Sequence, residues 1–265
     1  MKTLALCADD FGQSAAIDAG ILRLLALGRL SAVSCLSGGA AWRADAARLL
    51  AAAGSAQIGL HFNLTEGQPL APSLASVWPK FPALGRLIVL AHLGRLPRAA
   101  LADELAAQLA AFSAATGRPP DYLDGHQHVH ALPGVRRLVL DAAEALKPRP
   151  ALRSTARLAR GGFKRHVIQA TGGRELGREL AARGLRHNTL LLGAYDFRAD
   201  YRPLMRQWLA EAPAQGGLLF CHPGAAADDP ADPIGAARAR ELAYLAGDDF
   251  AQDLAAAGVT LGPAW

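Results

Sequence analysis

The chain has 265 residues, 51% hydrophobic, 19% charged and 6% aromatic, with a formal net charge of +5. That length suits one large domain, which buries roughly 70–75% of its unfolded surface without disulfide staples. The arginines are scattered through helix-like segments without a basic block, which argues against nucleic acid, and no uncharged apolar run of about 18 residues offers stable membrane insertion.

Met1-Lys2 leads into the apolar run Thr3–Ala8, of strand length, which ends at Asp9-Asp10-Phe11-Gly12. No small-residue cleavage site precedes those acids, so the opening does not read as a signal peptide. Ser14 is placed to cap a helix over Ala15–Leu27, with Ile17, Ile21, Leu24 and Leu25 as its apolar stripe. Ala32–Leu36 reads as a second strand, followed by an alanine-rich helix to Ala53. Gln57–Leu64 reads as the third strand, with His61 near its end. Residues 66–97 loosen into a proline-punctuated insertion with Trp78, Phe81 and one helix. Arg98–Thr116 shows helical spacing in Leu101, Leu105, Leu109 and Phe112. Cys7, Cys35 and Cys221 each sit in a strand-like run. Three scattered cysteines are no disulfide framework and fit a reducing cytoplasm, the expected location.

Pro119-Pro120 precedes a short strand at Tyr122-Leu123, which delivers Asp124-Gly125-His126-Gln127-His128-Val129-His130. Three of the eight histidines fall here at every second position. Extended, the segment would turn all three imidazoles to one face; coiled, it would make His126 and His130 helical neighbours. A helix from Pro133 to about Leu146 follows, then a fifth strand at Leu152–Thr155 and a glycine-interrupted helical region over 161–185. Thr189–Leu192 and Leu218–Cys221 read as strands flanking a helix at Pro203–Glu211. One long helix over Ala236–Ala257 leads to Val259–Leu261. This alternation of short apolar strands and helices implies a parallel sheet covered by helices, and the length favours a single-domain (β/α) barrel of seven or eight strands, irregular in places.

Polar residues collect where strands end. Asp9 and Asp10 close the first, His61 the third, Asp124 and His126 the fourth, and His222 the seventh. In barrels of this kind the C-terminal strand ends form the active face. One carboxylate with two imidazoles makes a sound ligand set for a catalytic divalent ion, and a second carboxylate there can serve as general base. Both neighbouring acids enter one site only if the chain turns at Asp9, because successive strand residues face opposite ways. His222, in Phe220-Cys221-His222-Pro223-Gly224, reads as a general acid for a leaving amine. Asn63 lies two residues after His61 and so faces the same side, within reach of a substrate.

The motifs Ala8-Asp9-Asp10-Phe11-Gly12, Gly59-Leu60-His61-Phe62, Asp124 to His130 and Cys221-His222-Pro223-Gly224 resemble those of the YdjC-like carbohydrate deacetylases, a family that includes the hopanoid-biosynthesis-associated deacetylases. The resemblance runs from residue 3 to the C-terminus. It implies a (β/α) barrel, a divalent metal and hydrolysis of N-acetyl groups on amino sugars. Carried over by position, it implies metal ligands Asp10, His61 and His126, the base Asp9, and a histidine opposite the metal at His222. Arg238 and Glu241 resemble an Arg-x-x-Glu-Leu element without an assigned role. Relatives often carry Ser where Gly125 stands, and residues 66–97 and 157–186 match nothing firmly.

The expected protein is therefore a metal-dependent N-deacetylase of a chitooligosaccharide-like or lipid-linked amino sugar, with Asn63, His128 and His130 against the substrate. Zinc or magnesium is expected, and manganese or cobalt also suits the donors. Apolar residues within 77–93 are available to cover the pocket, to meet a second copy in a homodimer or to touch a lipid-linked substrate. The rivals are a barrel amidohydrolase or phosphoesterase using the His126/His128 pair, and a non-catalytic sugar-binding relative.

Overall fold

In the computed structural model, which describes residues 2–159, 163–225 and 232–265, the first strand is the axis of the sheet. β1 (Lys2–Phe11) is buried from Leu4 onward and pairs in parallel with three partners, β2 (Ala32–Cys35), β7 (Gly217–Cys221) and β8 (Val259–Leu261). β3 (Gln57–Phe62), β4 (Tyr122–Gly125) and β5 (Ala151–Leu152) continue the sheet beyond β2, and β6 (Leu190–Leu192) lies beyond β7. The order is β5-β4-β3-β2-β1-β7-β6, with β8 beside the first residues of β1. Every pairing is parallel, as expected when helices cover the strands.

The two ends of the sheet curl towards each other. Leu152 bridges His187 and Leu158 bridges Leu191, each in parallel, and the Leu191 amide donates to Arg157 O at 2.8 Å. The barrel is thus closed by isolated bridges where β5 stops short. The expected fifth strand, Leu152–Thr155, begins one residue earlier and ends at Leu152, which frees Arg153 to turn inward.

Helices α1 (Ala15–Ala26) and α2 (Trp42–Ala52) follow the first two strands. Ser14 caps α1 as its sequence predicts, its hydroxyl accepting from the Ile17 amide. The insertion holds two short helices where one was expected, α3 (Pro72–Ala75) and α4 (Leu84–His92). α5 (Arg98–Thr116) matches its predicted bounds and ends on Gly117, at φ 70°, a left-handed cap that glycine adopts without strain. Trp42 packs between Phe11 and Phe112, stacked on the latter at 5.7 Å between ring centres. α6 (Val135–Ala145), α7 (Phe163–Ile168), α8 (Arg174–Ala182) and α9 (Tyr201–Glu211) follow. The predicted long C-terminal helix is two, α10 (Gly235–Ala246) and α11 (Asp248–Ala256). Gly247 stands extended between them, and Asp248 and Asp249 then favour a fresh N-terminus. Among the described residues no helix is long and apolar enough to cross a membrane.

Two buried polar side chains of α5 tie down the chain after β3. Glu104 accepts from the Leu70 and Ala71 amides, at 3.1 and 2.7 Å. Gln108 accepts from the Asn63 amide and donates to the Asn63 carbonyl and to Glu104. Both side chains are almost wholly buried, so these bonds form away from water, where an unmet partner is costly. The start of the insertion is therefore fixed to the barrel wall.

Candidate active site

The C-terminal strand ends open into a cavity of about 320 Å³ lined by Asp9, Asp10, His61, His126, His128 and His222, among others. The two adjacent acids reach it together because β1 is irregular there. Its register against β2 shifts between Ala8 and Phe11, and Asp10 takes the left-handed φ of 74°. The turn falls at Asp10, one residue later than expected. Asp is among the few residues that tolerate this conformation, at a cost of about 1–3 kcal/mol.

Asp10, His61 and His126 are all buried and bring donor atoms within 4.8 Å of one another. Asp10 Oδ1 lies 2.9 Å from His126 Nδ1 and 3.5 Å from His61 Nε2, while Oδ2 accepts from Arg238 Nη2 at 2.8 Å. On the far side of His61, Nδ1 is 2.7 Å from Asp124 Oδ1. A carboxylate behind an imidazole is the arrangement that orients a ligating histidine. One carboxylate and two imidazoles, converging in a buried pocket, fit a divalent cation.

The charges are strongly coupled. Burial opposes the ionised form of Asp10, but Arg238 and His126 outweigh it and hold the carboxyl well below its usual range. Burial also disfavours charge on the imidazoles. For His61 the Asp124 and Asp9 charges, with hydrogen bonds to Asp10 and Asp124, prevail and push it up to about 10. For His126, Asp10 and Glu66 do the same, to about 9. The pocket is thus built to hold positive charge beside Asp10.

Asp9 faces a different partner. Arg153, fully buried, places Nη1 2.6 Å from Asp9 Oδ2 and Nη2 2.6 Å from Asp9 Oδ1. The same Nη2 stands 2.7 Å from Asp124 Oδ2, which also accepts from Ser34 Oγ. Cys7, Asp9 and Asp124 form a second cluster of potential metal donors, but this guanidinium already occupies it. The sequence carried one sign of this, a charged residue within the predicted strand Leu152–Thr155.

His222 is half-buried at the end of β7, its ring 5.2 Å from that of Phe197 and 5.5 Å from that of Phe220. Its backbone amide donates to Glu241 Oε2 at 2.5 Å, and Tyr195 donates to the other oxygen of Glu241 at 2.6 Å. Burial raises the Glu241 carboxyl to about 7 despite these two donors and the nearby Arg238. The unassigned Arg238 and Glu241 therefore meet the site at two points, one on Asp10 and one beneath His222.

The histidine cluster is neither extended nor α-helical. His126–Ala131 forms a 3-10 turn in which Gln127 and His128 have φ of 51° and 62°. These left-handed residues separate the three imidazoles. His126 enters the donor set, and His128 lines the cavity against Phe220. His130 is buried, with Nε2 2.9 Å from the Arg153 carbonyl. A Cβ on Gly125 would lie 2.9 Å from the His130 amide nitrogen, so a serine there, as in relatives, requires a small shift of the turn.

Asn63 is not brought to the cavity. Its Oδ1 accepts from the Thr65 and Glu66 amides, and its Nδ2 donates to Glu66 O. That turn presents Glu66 to the cavity instead, a residue the sequence reading passed over. Apolar lining comes from Leu84 of the insertion, Val167 and Ile168 of α7, Phe197 and Ile234.

Comparison with known proteins agrees with this architecture. The sequence model of the family described as YdjC-like protein matches residues 3–256. A carbohydrate deacetylase of Mus musculus is 39% identical over 150 residues, covering 54% of this chain and 47% of that one. A chitooligosaccharide deacetylase of Serratia marcescens is 36% identical over 146 residues, covering 54% and 56%. The chain thus aligns with about half the length of these curated relatives. In three dimensions it resembles a putative cellobiose-phosphate cleavage protein of Enterococcus faecalis, with a TM-score of 0.76 at 22% identity, over 98% of this chain and 96% of that one.

Proposed function

The chain belongs to the YdjC-like protein family, and on that premise we propose that it is a metal-dependent deacetylase of an N-acetylated amino sugar. One observation carries the reading: a buried Asp-His-His donor set adjoins a second, arginine-held carboxylate in the same cavity. Binding alone has no use for that second carboxylate. The names of the mouse and Serratia relatives supply the substrate class and, in the latter, a chitooligosaccharide as one candidate form; a lipid-linked amino sugar is the other form we propose.

Asp10, His61 and His126 would hold the ion, with Asp124 fixing His61 and Arg238 occupying the outer oxygen of Asp10. When bound, a divalent ion supplies polarisation of the acetamide carbonyl and acidification of a water. Asp9 takes the water's proton as general base on Oδ2, which keeps a lone pair beyond the one given to Arg153, while Oδ1 also accepts from the Cys7 thiol. His222 gives a proton to the departing amine. The aromatic rings around it narrow its approach, and Glu241 anchors its backbone. Residues 1–265 act as one catalytic unit, with the 66–97 insertion forming one wall of the pocket.

The rival that uses the His126/His128 pair as metal ligands gains no support, since His128 belongs to neither donor cluster among the described residues. The test is acetate release from N-acetylglucosamine, its β-1,4-linked oligomers and a lipid-linked N-acetylglucosamine, with metal content measured on the same samples. Metal-loaded protein that releases no acetate from any of them would overturn the proposal.

A further inference from the structure

His61 has a carboxylate behind it, and His126 raises the question of which group plays that part. The His126 ring has two nitrogens in different surroundings. Nδ1 is 2.9 Å from Asp10 Oδ1, on the side where the three donors converge. Nε2 lies 3.0 Å from Glu66 Oε1, a close charge contact without hydrogen-bond alignment. Glu66 does not itself join the cluster of Asp10, His61 and His126, so its carboxylate stands outside the donor set.

We infer that Glu66 is the positioning carboxylate of His126, facing the N–H on Nε2 as its acceptor once an ion is bound and so fixing Nδ1 as the nitrogen turned to the metal. The inference rests on the metal reading above and deepens it. Each ligand histidine then has its own outer acid, Asp124 behind His61 and Glu66 behind His126. A ligating imidazole characteristically donates its second N–H to such a group, which sets the tautomer and the ring angle.

The surrounding structure is built to deliver Glu66. Gln13 Nε2 donates to Glu66 Oε2 at 2.7 Å and Gln127 Nε2 to Oε1 at 3.5 Å, which leaves Oε1 a further lone pair towards the imidazole. Asn63 shapes the turn with three hydrogen bonds to residues 65 and 66. Gln108 holds Asn63 on both sides of its backbone, and Glu104 pins the chain at residues 70 and 71. Asn63 thus serves the site indirectly, as the support of Glu66. Because Glu66 also lines the cavity at the start of the insertion, this links one wall of the substrate pocket to the geometry of a metal ligand.

The probe is cobalt(II), titrated into metal-stripped parent protein, Glu66→Ala, Glu66→Gln, Glu66→Asp and His126→Ala, with Kd, stoichiometry and visible absorption recorded. Loss of such an outer partner weakens metal binding by about 10–100-fold. Glu66→Ala is expected to show that loss in Kd while keeping one ion at saturation and the parental ligand-field bands. Glu66→Gln keeps an acceptor oxygen and should recover most of the affinity, whereas the shorter Glu66→Asp should not. An unchanged Kd in Glu66→Ala would overturn the inference. So would a changed coordination spectrum with loss as deep as in His126→Ala, which would make Glu66 a ligand. Parental affinity in His126→Ala would instead sink the metal assignment itself.

Discussion

Arg153, itself fully buried, grips both oxygens of Asp9, one guanidinium nitrogen on each at 2.6 Å. Two parallel charge-assisted bonds fix the plane of a carboxylate as well as its place. Lysine offers a point charge and cannot repeat the grip. Arg153→Lys is therefore expected to fold, to keep its metal and to lose kcat with little change in KM. Arg153→Met leaves Asp9 and Asp124 buried without their cation and should cost about 3–5 kcal/mol, read by urea denaturation. Parental turnover in Arg153→Lys would remove the positioning role.

The two adjacent aspartates should separate cleanly. Asp9→Asn should hold metal and substrate yet lose turnover, because an amide cannot take the proton. Asp10→Asn should lose both metal and turnover, since Oδ1 is the atom shared with His126 and His61. Metal analysis of the two purified variants checks this. The opposite pattern would exchange their roles.

His222 can be isolated by the choice of leaving group. An amide must expel an amine, which leaves poorly unless protonated, whereas an activated aryl ester needs little such help. His222→Ala is expected to slow acetamide hydrolysis by about 10²–10⁴ and to spare an activated acetate ester. Equal losses on the two substrates would assign His222 to structure or to stabilising charge on oxygen.

Glu241 gives a stability dependence of definite sign. Its carboxyl rises from 4.5 unfolded to about 7 folded, burial outweighing the hydrogen bonds from Tyr195 and the His222 amide. A carboxyl raised on folding favours the folded state most below its unfolded pKa, and that contribution fades as pH climbs through the folded value. Over roughly pH 4.5 to 7 the change is on the order of 3 kcal/mol. Glu241→Gln keeps an acceptor for the His222 amide and does not titrate. Parent and variant should therefore diverge in denaturant midpoint across that window, the parent losing ground as pH rises. Parallel curves would show that Glu241 does not titrate there.

Much of the fold was legible because its strands are short, apolar and separated by helices of clear period. α5 fell where Leu101, Leu105 and Phe112 placed it. The convergence of Asp10, His61 and His126 was legible for a simple reason: each stands close to the end of a strand, where a polar residue after an apolar run is conspicuous. What escaped the sequence depends on backbone angles and on long-range pairing. Gln127 and His128 adopt left-handed φ that nothing in their identity requires, so the histidine cluster split in a way no periodicity could announce. Arg153 was hidden inside an expected strand, since its partners lie 144 residues away at Asp9. Alternation puts Asn63 on the face of His61, but its side chain is taken by its own turn and does not reach the cavity, a local competition common for that residue. Glu104 and Gln108 gave no sign of their burial, because their partners are backbone groups of residues 63, 70 and 71 that only the folded chain brings to them.

The bond between Asp10 and Arg238 spans 228 positions. Such distant pairings form late, because their loop-closure entropy must be met before the contact rewards it. The sheet can begin from neighbouring strands such as β2 and β3, but Asp10 gains its outer partner only once α10 has docked. The pairings of β1 with β7 and β8 span separations just as long, so the finished barrel and the surroundings of Asp10 depend on the same distant contacts. A newly made chain would acquire its local helices and neighbouring strand pairs first, and the full set of partners around Asp10 only when α10 is in place.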